Sequence, residues 1–501
     1  MDYDLLIRDA RLIDGSGGPS RTGTLGVRDG RVATLDAPPA ARAARELDGR
    51  GLALAPGFID VHTHDDTQVI RAPQMLPKLS QGVTTVIVGN CGISASPVRL
   101  KGDPPDPMNL LGDADAFRYP RFADYRAAVD AARPAVNVAA LVGHTALRNN
   151  HLDRLDRPAD AAEIAAMRAE LRDALAHGAL GLSSGLAYAS AFAADAAEVM
   201  ALAEELHAYG ALYTTHLRTE FDGIVGALDE AFATGRHAGV PVIVSHLKCA
   251  GAGNWGRSGE VLAHLARAAT QQHVGCDCYP YAASSSTLDL KQVTSDFDIV
   301  ITWSTPHPEM AGRTLAEIAG LWSMGLLDTA RRLQPAGAVY HGMDEDDVRR
   351  ILAHPLSMVG SDGLPADPLP HPRLWGAFPR VLGHYSRDVG LFPLETAVHK
   401  MTGLSAQRFG LAQRGLLREG HWADLTLFDP AAVRDVASFA QPAQAAAGIA
   451  GVWVNGVESY RDGQASGERA GRFLGASRWK NWEGGREKGE TQNQRQERGC
   501  F

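Results

Sequence analysis

The sequence predicts an α/β fold, a (β/α)8 TIM-like barrel carrying a small β-sandwich built from both chain ends. Three observations predict it. From Pro56 onward, short β-branched and apolar runs alternate with Ala-, Leu- and Glu-rich helical patterns, the grammar of a parallel α/β architecture. Eight such runs stand out, at 57–64, 84–91, 136–144, 180–185, 212–216, 240–246, 274–279 and 358–362. Almost every run ends, on its C-terminal side, in a residue able to bind metal or move a proton, and barrel active sites assemble on that face.

Residues 1–55 precede the barrel and read as the first part of the sandwich. Apolar runs at 4–7 and 23–27 are bounded by the turn signals Asp14-Gly15 and Asp29-Gly30, with no helical period. The barrel spans 56–414. Its first run closes on His62-Thr63-His64. In a strand, residues two apart share a side, so both imidazoles can aim at one point. Neutral imidazole suits zinc, although the same spacing also occurs on solvated surfaces. The second run ends with Cys91, the third with His144, the fifth with His216, the sixth with His246, the seventh with Tyr279 and the eighth with Asp362. Helical patterns at 159–177 and 194–209 lie between runs.

The segment 284–347 is too long for a connection between the seventh and eighth strands. With Trp303, Trp322 and several helical patches, it is either a lid over a pocket or a structural excursion. Residues 369–380 form a Pro- and aromatic-rich loop in which Arg373 could hold a carboxylate bidentately or sit on the surface. A helix follows at 393–402. Residues 415–474 return to strands, at 424–428 and 451–454, that can pair with the N-terminal ones. The last stretch, 475–501, is polar and aperiodic and reads as a disordered tail that includes Cys500.

Composition narrows the function. A chain of 501 residues holds two to four domains, or one large barrel with an appendage. Net charge of −9 and a pI near 6.1 point away from nucleic acid and anionic membranes. No apolar run reaches the length of a membrane span, and the acidic N-terminus lacks a leader pattern. Five cysteines in so long a chain make no disulfide framework, so a reducing cytoplasm is expected. The expected partner is a small molecule, with oligomeric state left open.

A thiolate at Cys91 with His216 and His246 makes three protein ligands and leaves a fourth position for water, as catalytic zinc requires. His62 and His64 could hold a second ion or shape the same one. Zinc brings the pKa of its water toward about 7. Asp362, in Gly360-Ser361-Asp362-Gly363, could take that proton, or serve only as a turn or cap residue. Lys248 and Tyr279 could bind a carboxylate or polarise a carbonyl, or be structural. Cys249, Cys276 and Cys278 read as buried structural thiols.

Taken together, Pro56-Gly57-Phe58-Ile59-Asp60-Val61-His62-Thr63-His64-Asp65-Asp66, Gly89-Asn90-Cys91-Gly92, His216-Leu217-Arg218, Ser245-His246-Leu247-Lys248, Asn254-Trp255-Gly256, Gly360-Ser361-Asp362-Gly363 and His371-Pro372-Arg373 carry a resemblance. The chain resembles the amidohydrolase superfamily and, within it, the N-acyl-D-amino-acid deacylases (D-aminoacylases), over roughly residues 1–474. Many superfamily members bridge two metals with a carboxylated lysine; here a cysteine ends the second strand. The resemblance implies a tight zinc at Cys91, His216 and His246, a weaker second site near His62 and His64, and Asp362 as acid and base. It further implies Lys248, Tyr279 and Arg373 near the substrate carboxylate or scissile carbonyl. The implied reaction is hydrolysis of N-acyl-D-amino acids. The alternatives are a dihydroorotase- or hydantoinase-like cyclic-amide hydrolase and a catalytically inactive barrel scaffold.

Overall fold

The computed structural model describes residues 2–476. The tail expected at 475–501 falls almost wholly on 477–501, outside the described residues. Ala476, just before them, donates its N–H to Gly178 O.

Both chain ends enter one nine-stranded sheet. Its N-terminal part contains Tyr3–Leu12, Arg21–Arg28, Arg31–Thr34, Ala43–Asp48 and Ala53–Pro56. The C-terminal part contains Leu425–Phe428, Ile449–Val454, Val457–Arg461 and Gln464–Ala465. The seam is antiparallel, with Leu427 opposite Leu54. Period-two burial explains the strand Tyr3–Leu12. Leu5 and Ile7 join a cluster with Leu25, Leu425 and Trp453, while Leu6, between them, packs with Ala37 and Ala41. The Asp29-Gly30 turn works because both residues take positive φ, 53° and 72°, as a tight hairpin requires.

The eight runs from Pro56 onward are all parallel strands. Three pair in the order Phe58–Asp60, Val83–Val88, Asn137–Ala140. Six pair in the order Val142–Gly143, Gly181–Gly185, Leu212–His216, Val242–Val244, Val274–Cys278, Ser357–Val359. Only Leu141 separates Asn137–Ala140 from Val142–Gly143, so the single run expected at 136–144 is two strands in succession. At the other edge, Thr63 makes a parallel bridge to Gly363. The first and last strands are shorter than expected, ending at Asp60 and Val359. His62, His64 and Asp362 therefore stand on the loops just past the strand ends.

Helices Ala161–Ala176 and Ala196–His207 lie where the period placed them. Each starts on an aspartate, Asp160 or Asp195, whose side chain accepts from first-turn N–H groups. The stretch expected as a loop at 369–380 is helical from Arg373 to Arg380. This helix holds Pro379 near its end, and the chain continues directly into a π-helix, Val381–Asp388.

Residues 284–347 fold around a core of their own. Strands Ser284–Thr287, Ala336–Tyr340 and Ile299–Ser304 form an antiparallel sheet. Helices Leu315–Trp322 and Leu326–Leu333 cover a cluster that includes Ile301, Ile318 and Leu333. Among the described residues, no helix is long and apolar enough to cross a membrane.

Candidate metal centre

Two groups of ligand atoms converge at the C-terminal ends of the parallel strands. Cys91, His216 and His246 form one, and His62, His64, Cys91 and Asp362 the other; in each, the ligand atoms lie within 4.8 Å of one another. Cys91 belongs to both. Its Sγ is 3.2 Å from His62 Nε2 and 3.3 Å from His246 Nε2. Asp362 Oδ1 is 3.0 Å from His64 Nε2 and 3.4 Å from His62 Nε2.

The backbone is bent to present these side chains. Cys91, His246 and Asp362 have φ of 52°, 35° and 49°, a left-handed conformation that costs non-glycine residues roughly 1–3 kcal/mol and collects at working sites. The glycines around Cys91 have a steric reason. A Cβ on Gly89 would lie 2.3 Å from Leu141 O, and one on Gly92 would lie 2.6 Å from Gly185 N. Gly89-Asn90-Cys91-Gly92 is thus a turn that only these glycines allow between neighbouring strand ends.

Residues not picked out from the sequence hold the imidazoles. Asp277 accepts from His62 Nδ1 at 3.1 Å and from the backbone N–H of His246 at 3.0 Å. Glu220 Oε1 lies 2.9 Å from His246 Nδ1 and 2.5 Å from Lys248 Nζ, and Oε2 is 3.7 Å from His216 Nε2. A signal existed for each. Asp277 stands between Cys276 and Cys278 on a buried strand, so it must face the side opposite the two thiols. Glu220 follows His216 by four residues. Carboxylates that orient ligating histidines are the usual outer layer of a metal site.

The electrostatics favour a cation. Burial by itself would raise the Cys91 thiol, but His62 and His246 outweigh it and hold the group well below the ordinary thiol range. Burial also opposes ionisation of Asp362, and Arg373 followed by His62 overcomes it, leaving a carboxylate well below the usual range. Burial would lower His64, yet Asp362 and Cys91 lift it to about 9. A divalent ion would satisfy the same negative field. His216 Nδ1 and His64 Nδ1 are buried without a hydrogen-bond partner, so ring nitrogens are free to ligate. One thiolate with two imidazoles fits zinc.

A cavity of about 730 Å³ opens over the cluster. His64, His216, His246, Lys248, Tyr279 and Asp362 line it, as do residues 284–292 of the inserted segment. Tyr279 directs its hydroxyl to Met343 Sδ at 3.7 Å. Arg373 is fully buried: Nη1 is 2.9 Å from Asp362 Oδ2, Nη2 donates to Ser285 O at 3.0 Å, and the guanidinium lies 4.5 Å from the Tyr279 ring centre. His144, which ends the third run, joins neither ligand group and meets Glu198 at 2.8 Å. Cys249, Cys276 and Cys278 are buried free thiols, each pushed up to about 12 chiefly by burial.

Comparison with known proteins shows the family to which the chain is similar along nearly its whole length. The model of the amidohydrolase family matches residues 45–460. A D-aminoacylase from Alcaligenes xylosoxydans xylosoxydans is 50% identical over 472 residues, covering 94% of this chain and 97% of the relative. An N-acyl-D-aspartate deacylase from the same organism is 50% identical over 475 residues, covering 94% and 95%. The crystal structure of an N-acyl-D-glutamate deacylase from Bordetella bronchiseptica, complexed with zinc and a phosphonate mimic of the tetrahedral intermediate, superposes with a TM-score of 0.92. It is 47% identical and covers 95% of this chain and 100% of that one.

Proposed function

The chain belongs to the amidohydrolase family, and we propose that it is a zinc-dependent deacylase that hydrolyses N-acyl-D-amino acids to a carboxylate and a free D-amino acid. The observation that carries this reading is the Cys91–His216–His246 group, whose two histidines line a cavity large enough for such a substrate. Near-half identity to enzymes of this reaction along almost the whole chain supports both chemistry and handedness.

Cys91, His216 and His246 would hold the tighter zinc, and His62 and His64 a weaker second ion. A zinc ion held there would supply Lewis-acid polarisation of the acyl carbonyl and a lowering of the pKa of water toward about 7. Asp362, ionised beside His62 and His64, takes the proton of the attacking water on its carboxylate. As the C–N bond breaks, it returns that proton to the leaving nitrogen, so the amine departs neutral. Glu220 and Asp277 keep His246 and His62 oriented. Lys248, Tyr279 and Arg373 anchor the substrate carboxylate or the scissile carbonyl. Lys248 and Tyr279 line the cavity beside Asp362, which supports that role for them, while Arg373, buried behind the cavity wall, pairs with Asp362 and lies against the Tyr279 ring.

The parallel strands close as one eight-stranded barrel over residues 56–414, with 284–347 inserted as a cover. The Thr63–Gly363 bridge supports closure, as does one side-chain cluster that gathers Ile59, Ile87, Ala139, Leu212, Ile243 and Met358. Residues 1–55 and 415–474 fold over their shared cluster as the small sandwich. A reducing, cytoplasmic setting suits the buried free thiols.

The test is amine release from N-acetyl-D-methionine and N-acetyl-L-methionine with zinc present. Hydrolysis of the D form alone is expected. Equal hydrolysis of the L form overturns the reading. So does zinc-loaded protein that leaves neutral and acidic N-acyl-D-substrates intact.

A further inference from the structure

Lys78 is fully buried, and its ammonium is shared among three groups. Nζ lies 2.8 Å from Asp60 Oδ2, 3.1 Å from Asp65 Oδ2 and 2.9 Å from Ser361 Oγ. These three partners are not a random set. Asp60 and Asp65 flank His62 and His64, and Ser361 precedes Asp362. Asp60 Oδ1 also accepts the Ser361 N–H at 2.8 Å, and His62 O accepts the Asp362 N–H at 2.8 Å. The turn that carries Lys78 reaches further through Gln81. Gln81 Nε2 donates to Leu374 O at 2.8 Å, and Gln81 Oε1 accepts the Phe378 N–H at 3.2 Å, both on the helix that bears Arg373. One short turn therefore fastens the segments bearing His62 and His64, Asp362, and Arg373.

We infer that Lys78 is a positioning residue for the hydrolysis proposed above: by bridging Asp60, Asp65 and Ser361 it fixes His62 and His64 relative to Asp362. Apolar side chains could fill this space at equal or greater stability. What they could not do is tie the first and last parallel strands' loops to one point. In the Cys91, His216 and His246 group, His246 is held by Glu220 and by Asp277, which also holds His62, whereas the partners of Lys78 are Asp60, Asp65 and Ser361.

The two ends of the site should thus separate on mutation. Lys78→Met keeps the stem and removes the ammonium. With N-acetyl-D-methionine, kcat should fall about 10–100-fold while KM stays unchanged. Metal-free protein titrated with cobalt should bind its first equivalent as wild type does, with the thiolate-to-cobalt absorption intact. The second equivalent should bind about tenfold more weakly or worse. Ser361→Ala, which leaves both carboxylates paired with Lys78, should show the same pattern to a smaller degree, and it decides alone if Lys78→Met does not fold. Wild-type kcat with wild-type binding of the second equivalent overturns the inference, as does equal weakening of both equivalents. The titration needs no substrate, so it reads Lys78 even if the wild-type chain leaves N-acyl-D-amino acids intact.

Discussion

His216 and His144 hold matching places in the chain, each at the C-terminal end of a parallel strand, and they lead to opposite outcomes. His216 closes Leu212–His216 and turns toward Cys91 and His246, its ring 4.4 Å from that of His246. His144 follows Val142–Gly143 and opens a helix. Its Nε2 meets Glu198 at 2.8 Å, and Arg148 Nη1 closes on the same carboxylate at 2.5 Å. Arg148 is then satisfied by the carbonyls of Ser190, Leu155 and Arg157. One cluster leaves ring nitrogens and a thiol pointing at a shared space. The other is an ion-pair network that ties a strand end to a helix and takes up His144 Nε2, leaving its Nδ1 buried without a partner and outside both ligand groups. A histidine at a strand end is thus only an opportunity, and the partners across the fold decide between chemistry and stability.

The sharpest way to break this comparison is Cys91→Ala. The tight zinc should be lost and turnover with it, while the protein stays folded; metal analysis and the amine-release assay check both. Asp362→Asn should keep zinc and lower kcat by about 10²–10⁴-fold, the usual worth of a general acid–base group. A near-normal rate would remove Asp362 from the mechanism. Glu220→Gln should act through His246 and Lys248, lowering activity or zinc affinity about 10–100-fold.

The His144 side should respond in stability alone. Burial would raise Glu198, but His144 and Arg148 bring it down to about 2. Its folded pKa is depressed, so its contribution is complete above the unfolded carboxylate value near 4.5 and is lost as pH falls through about 2. A shift of that size corresponds to about 3 kcal/mol. Glu198→Gln should therefore unfold more easily at neutral pH, converge with wild type at strongly acidic pH, and retain kcat. Denaturation followed across pH 2–7 measures the convergence, and a large fall in kcat would erase the distinction between the two clusters.

Several features were legible without coordinates because they depend on local pattern. Alternation of apolar runs and helical periods marks the parallel strands, and period two marks the strands at both chain ends. Cys91, His62, His64, His216, His246 and Asp362 were legible because strand ends put side chains on one face. Other features were not. Ile299–Ser304 and Ala336–Tyr340 are strands inside a segment that showed mainly helical patches, since their partners lie far apart in the chain. Arg373–Arg380 reads as a loop because proline counts against a helix, and the π-helix that follows it has no sequence signature.

By itself, the sequence determined which residue types stand at the strand ends and hence which chemistry is available. Tertiary structure alone decided that His144 turns to Glu198 while His216 turns to Cys91, that Glu220 and Asp277 stand behind the imidazoles, and that Lys78 joins residues nearly 300 positions apart, as the separation of 283 between Lys78 and Ser361 shows. The physical reason is range. Strand and helix periods are set by neighbours along the chain. The direction of a buried charge is set by whichever opposite charge the closed fold brings within hydrogen-bond reach.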